Sequence, residues 1–198
     1  MSNDLRDQSR RKTLVALTAA AGGIAAGGAA IPFVLSFGPS ERAKAAGGPV
    51  EVDLSAIQHS ELHTVEWRGQ PVWIVHRTKE MIESLPKLDG AMADPKSSMP
   101  MQPDYAKNEA RSIKPEYLVL VGICTHLGCS PSQKLAPGAE SGLGEDWRGG
   151  FFCPCHGSKF DLAGRVYKGV PAPANLKVPP YAYLSDTRLL IGKDSKGA

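Results

Sequence analysis

Cys124-Thr125-His126-Leu127-Gly128-Cys129 and Cys153-Pro154-Cys155-His156-Gly157-Ser158 are the two stretches that decide how this chain is read. Each sets a thiol beside an imidazole, Cys124 with His126 and Cys153 with His156, and each holds one further cysteine, Cys129 and Cys155. All four cysteines of the 198-residue chain fall here, with only two of its five histidines. Thiolate and imidazole together are ligands for a soft or borderline metal. Structural zinc sites use the same Cys2His2 set, but zinc-finger spacing pairs Cys with Cys and His with His. Here each pair is mixed, one as Cys-x-His and the other as Cys-x-x-His. Two plain disulfides would leave both histidines unexplained.

The pattern resembles the Rieske 2Fe-2S signature, in which one iron takes two cysteines and the other two histidines. The resemblance implies a cluster bound by Cys124 and Cys153 on its inner iron and by His126 and His156 on its outer iron. It also implies a Cys129–Cys155 disulfide tying the two loops together, and with it an oxidising compartment. The ligand choice follows from charge. Two thiolates bring an oxidised core of about +2 to about zero, whereas four would start it near −2. Imidazole ligands thus ease reduction, and Rieske potentials span about −150 to +300 mV. The ring nitrogen facing away from the iron can also carry a proton.

Other positions narrow the resemblance. Rieske motifs also occur in ring-hydroxylating oxygenases and soluble ferredoxins, which lack the extra pair Cys129 and Cys155. Thr125, Leu127, the run Gly169-Val170-Pro171-Ala172-Pro173 and the run from Asn175 to Tyr181 are similar to those of bacterial Rieske subunits of cytochrome bc complexes, with Val170 as an extra residue. That family implies a mainly β fold: a Rieske-type antiparallel β-sandwich head with a small cluster-binding subdomain, plus one N-terminal transmembrane helix. It implies transfer of an electron and a proton from ubiquinol at cytochrome b, and of the electron onward to a c-type cytochrome. This transfer is coupled to proton translocation in a dimeric membrane complex. His156 and His126 are then the catalytic pair, with His156 hydrogen-bonded to the quinol. Leu127 becomes an apolar lid at the quinol, and Ser158 a donor to a bridging sulfide. Phe160 departs from the family, where tyrosine is common and donates to the sulfur matching Cys124; losing that hydroxyl implies a lower potential. Two further readings stay open: the small Rieske subunit of a periplasmic arsenite oxidase, and a zinc-stapled interaction domain.

The remainder of the chain agrees with a membrane-bound head. Residues 1–12 form a cytoplasmic N-terminus in which Ser9-Arg10-Arg11-Lys12-Thr13-Leu14 resembles a twin-arginine export signal, with Thr13 where phenylalanine is common. Residues 13–37 carry no charge. As a helix they would reach roughly 37 Å, enough for a bilayer core of about 30 Å. They serve either as an anchor or as a signal cut near Ala43-Lys44-Ala45, and their length favours the anchor. Arg10, Arg11 and Lys12 orient the N-terminus to the cytoplasm of a bacterial inner membrane and the head to the periplasm. Residues 38–48 read as a flexible hinge.

Six basic and three acidic residues precede residue 49, so the head, 49–198, has 17 of each. That balance argues against nucleic acid as a partner. Within the head, a hairpin is expected from Glu61–Trp67 and Pro71–His76, then a short helix capped by Thr78. A buried strand over Tyr117–Ile123 leads into the first loop, and Arg188–Ile191 closes the domain. His59, His63 and His76 lack ligand spacing and read as surface or packing residues. Ser130–Phe152 reads as a surface insertion, and Leu88–Arg111 offers no function.

Overall fold

A computed structural model describes residues 2–40, 43 and 47–194. The chain divides into two compact units, residues 1–45 and 46–198. Among the described residues, the first unit carries a long helix, α1 (Ser2–Leu35), which begins well before the uncharged run. Its Asp7–Leu35 stretch, 29 residues with a mean hydropathy of 1.8, is long and apolar enough to cross a membrane. Hydroxyls within it are satisfied locally, Thr13 donating to Ser9 O and Thr18 to Leu14 O. In hydrocarbon an unpaired hydroxyl would have no other partner. Pro32 lies in the last turn, and the helix continues through it to Leu35. Part of the expected hinge, residues 41, 42 and 44–46, lies outside the described residues, as do Lys44 and Ala45 of the expected cleavage site.

Among the described residues, the second unit is built from three antiparallel sheets of three strands each. One joins β1 (Val50–Asp53), β9 (Arg188–Ile191) and β8 (Tyr181–Tyr183). Another joins β2 (Leu62–Trp67), β3 (Gln70–His76) and β4 (Tyr117–Val121). β2 and β3 are connected by Arg68-Gly69, both in the left-handed region (φ 52° and 70°), the backbone that a two-residue hairpin turn requires. Val72, Ile74, Val75 and Leu118 to Leu120 are fully buried, which explains why β3 and β4 read as continuous apolar runs rather than alternating ones. The expected strand into the first loop stops at Val121, two residues early. Gly122 follows, and a Cβ there would overlap the Trp73 indole.

The third sheet carries the second motif. It joins β5 (Ser132–Lys134), β6 (Gly150–Cys153) and β7 (Ser158–Asp161), and Trp73 of β3 stacks on Phe151 of β6 with ring centroids 5.1 Å apart. The expected surface insertion over Ser130–Phe152 is therefore corrected in part. Its ends are sheet strands, held by ladder bonds that a three-residue strand does not announce in sequence. The loop between them is fastened by Trp147, whose Nε1 donates to Lys134 O (2.8 Å) and whose ring stacks on Tyr167. Between β3 and β4 lies α2 (Lys79–Ser84), capped by the Thr78 hydroxyl accepting from Met81 N–H.

Three arginines, Arg77, Arg111 and Arg165, are fully buried around the turn Asp161-Leu162-Ala163-Gly164-Arg165 that follows β7. Arg77 donates to Leu162 O, Pro115 O and the Ser112 hydroxyl. Arg111 donates to Ala163 O, Gly164 O, Leu176 O and Gln102 Oε1. Arg165 pairs with the buried Asp161 at 2.8 Å and with Asp89 at 2.6 Å, and also donates to Leu85 O. Burial lowers the Arg77 and Arg111 guanidiniums to about 10, which leaves both charged at neutral pH. Leu88–Arg111, silent in sequence, thus supplies Asp89, Gln102 and Arg111 to the scaffold beneath the second motif.

Candidate metal centre

The two motif loops close in the same way. In the first, Gly128 N–H donates to Cys124 O (3.1 Å); in the second, Gly157 N–H donates to Cys153 O (2.9 Å). Both glycines are left-handed, with φ of 82° and 79°, a conformation that costs glycine little. The first loop is further closed by Cys124 N–H on Cys129 O at 2.8 Å.

These turns bury sulfur and present imidazole. Cys124 and Cys153 are each 2% exposed, and both are free thiols. His126 is half-buried and His156 exposed, their ring centroids 4.8 Å apart and their planes nearly perpendicular. Cys129 and Cys155 form a disulfide between the loops. The sulfurs of Cys129, Cys153 and Cys155 lie within 4.8 Å of one another, but a bonded pair offers no thiolate. Four side chains are left to hold a metal: Cys124, Cys153, His126 and His156. Leu127 projects from the first loop, 71% exposed, and so is not core packing within the head.

Burial works against charge on the Cys124 sulfur, and two donors offset it in part. Burial raises the Cys124 thiol pKa, and the neighbouring Cys153 adds to the rise. The His126 N–H and the Ser158 hydroxyl act in the other direction as donors to the Cys124 sulfur. Ser158 is itself held, its Oγ accepting from Ala172 N–H at 3.0 Å. Thr125 Oγ1 donates to Ala174 O at 2.6 Å, so the segment around Pro171 and Pro173 is tied to both motif loops. Two adjacent thiols, buried and unjoined although a disulfide forms beside them, with two imidazoles toward solvent, fit a 2Fe-2S core held by sulfur inside and nitrogen outside. His76 stacks on Tyr117 and lies against the tilted ring of the exposed His59, while His63 sits on β2 opposite Ile74.

Comparison with known proteins decides the family. The ubiquinol-cytochrome c reductase iron-sulfur subunit of Allochromatium vinosum is 56% identical over 192 residues, covering 97% of this chain and 92% of that protein. The chain belongs to the ubiquinol–cytochrome c reductase iron-sulfur subunits. The subunit of Blastochloris viridis is 42% identical over 192 residues, covering 96% of this chain and 97% of its own length. The Rieske [2Fe-2S] domain family matches residues 101–180, and the "Ubiquitinol-cytochrome C reductase Fe-S subunit TAT signal" family matches residues 1–40. A solved structure titled hyperthermophilic respiratory complex III aligns at 26% identity and a TM-score of 0.48, covering 86% of this chain and 94% of its own. As an iron-sulfur subunit of this family, the chain carries a 2Fe-2S cluster and is membrane-anchored.

What the sequence does not single out in this subunit is the buried arginine cluster and the Thr125–Ala174 tie. The Thr125 contact spans 49 residues, and no local spacing signals it.

Proposed function

We propose that this subunit moves electrons from quinol to a c-type cytochrome within a cytochrome bc complex. Cys124, Cys153, His126 and His156 would hold its cluster. When bound, the cluster supplies one-electron chemistry at moderate potential. The chain's own residues supply the rest. The exposed His156 ring offers a nitrogen to a quinol hydroxyl and holds the proton it releases. His126 stands perpendicular to it on the same surface. Leu127 gives an apolar contact that excludes water from the quinol, and the Ser158 hydroxyl would donate to a sulfide of the cluster. The single observation that carries this reading is the division of the donors, buried sulfurs behind outward imidazoles in a chain of this family.

Around that site the larger assignments follow. Residues 1–12 lie in the cytoplasm, 13–37 cross the bacterial inner membrane among its lipids, and the head, from residue 49, works in the periplasm. Residues 38–48 act as a tether that lets the head meet cytochrome b and then the c-type cytochrome in a dimeric complex. The quinone is ubiquinol, and proton translocation is coupled to its oxidation.

Redox-titrated EPR on membranes, with and without a quinol-site inhibitor, tests the assignment. A signal with average g below the free-electron value, altered by inhibitor, is expected. A Rieske signal indifferent to inhibitor would point to an arsenite-oxidase-type role, and bound zinc with no signal would overturn the cluster itself.

A further inference from the structure

We infer that Arg111 is a positioning residue for the metal centre, acting through the loop 164–176 and the Ser158 hydroxyl. This deepens the electron-transfer reading and rests on it. The guanidinium grips both ends of that loop: Nη1 donates to Gly164 O (3.3 Å) and Ala163 O (3.0 Å), and Nη2 donates to Leu176 O (2.8 Å). Leu176 N–H donates to Gly164 O at 2.8 Å, so the loop is pinched at its base by a backbone bond that Arg111 reinforces from inside. Between those ends come the two contacts with the motif loops, Ala172 N–H on Ser158 Oγ and Ala174 O under the Thr125 hydroxyl. Ser158 Oγ accepts from Ala172 N–H, which fixes the hydroxyl at the second motif and leaves its own proton free to donate at the metal centre.

Two observations set Arg111 apart from an arginine that merely fills space. Its backbone is left-handed, with φ at 49°, a strained conformation for a residue with a Cβ that persists only where the surroundings hold it. Gly164, one of its acceptors, is also left-handed (φ 70°), and a Cβ there would meet Leu120 Cδ1 at 2.8 Å and Arg111 Nη1 at 3.3 Å. Arginine and loop are therefore built to one spacing. A lysine keeps the charge and the backbone but delivers it as a single point, without a planar fork to span several carbonyls.

The test uses the full chain in its membrane complex, with Arg111→Lys, Ser158→Ala and the double variant. Hydrogen exchange at the Ala172 amide reports the loop, and the EPR midpoint potential reports the centre. The expected result has three parts. In Arg111→Lys the Ala172 amide exchanges at least about tenfold faster than in the wild type, the amplification expected from losing roughly 1.4 kcal/mol of local protection. The midpoint moves down. In the Ser158→Ala background Arg111→Lys adds no further shift, because the residue acts through that hydroxyl. A midpoint unchanged despite faster exchange, or shifts that add in the double variant, would overturn the inference. Should Arg111→Lys fail to assemble, Gln102→Leu, which removes the acceptor of one Nη2 bond, is read by the same criteria. A wild-type chain without a Rieske signal would strike the functional reading instead, leaving Ala172 exchange to judge the loop clamp.

Discussion

A hydroxyl is all that separates Phe160 from the tyrosine common at this place in bc-type subunits. Phe160 is fully buried in the side-chain cluster that includes Cys124, Cys153 and Phe151. A phenol oxygen introduced there either bonds a sulfur or stays dry at about 1–3 kcal/mol. Phe160→Tyr is expected to raise the midpoint potential in an EPR titration, since a donor on a thiolate draws charge from it. A midpoint that stayed level would refute the account of Phe160. The candidate ligands stand out in the sequence because their signal is local, a thiol and an imidazole within a few residues, twice. The arginines are not. Arg77 meets Leu162 across 85 residues and Arg111 meets Leu176 across 65, so nothing near either one marks it as buried. A lone arginine in sequence reads as surface, because burial of an unpaired one is prohibitive and its partners are out of view.

Strands and turns show the same division. β3 and β4 are legible as apolar runs, and the turn between β2 and β3 as a polar pair before glutamine. β5, with only Ser132 to Lys134, has no apolar pattern and exists because β6 offers it a ladder. The turn after β7 is a second element that sequence understates. Asp161 accepts from Ala163 N–H, Arg165 N–H and Arg165 Nε, so its carboxylate is fully committed in a fully buried place. Arg165→Met removes the charge partner and strands that carboxylate, at an expected cost of about 3–5 kcal/mol in denaturant unfolding. A loss under about 1 kcal/mol would mean that water reaches the turn. The loop-to-loop disulfide acts on the unfolded chain instead. Its cysteines are 26 residues apart, and loop-closure entropy at that length is worth about 3.5 kcal/mol. The double variant Cys129→Ala, Cys155→Ala should unfold at correspondingly lower denaturant, and an unshifted midpoint would contradict that value.

On the scale of the whole molecule, the two units answer to different solvents. α1 has apolar side chains along its length and its charges near one end, while the head is charge-balanced and mostly apolar inside. Burial in the head raises the Tyr167 phenol to about 12, and those of Tyr181 and Tyr183 further still. A folded pKa raised above the unfolded value of about 10 means that these neutral phenols favour the fold fully below that pH. Their contribution is lost as the pH climbs through about 12. Alkaline absorbance titration should accordingly find these three protonated at about pH 11 in the folded head and ionised there once it is unfolded; early ionisation in the folded head would show their sites to be open to water. The crowding of sulfur has a consequence in time rather than in space. Cys153 stands within 4.8 Å of both partners of the disulfide, so oxidation before the centre is filled gives three sulfurs a choice of one bond. Filling the centre before the oxidant arrives would take Cys153 out of that choice. A route that threaded the chain unfolded into an oxidising space would deliver all four thiols at once and invite the wrong pair.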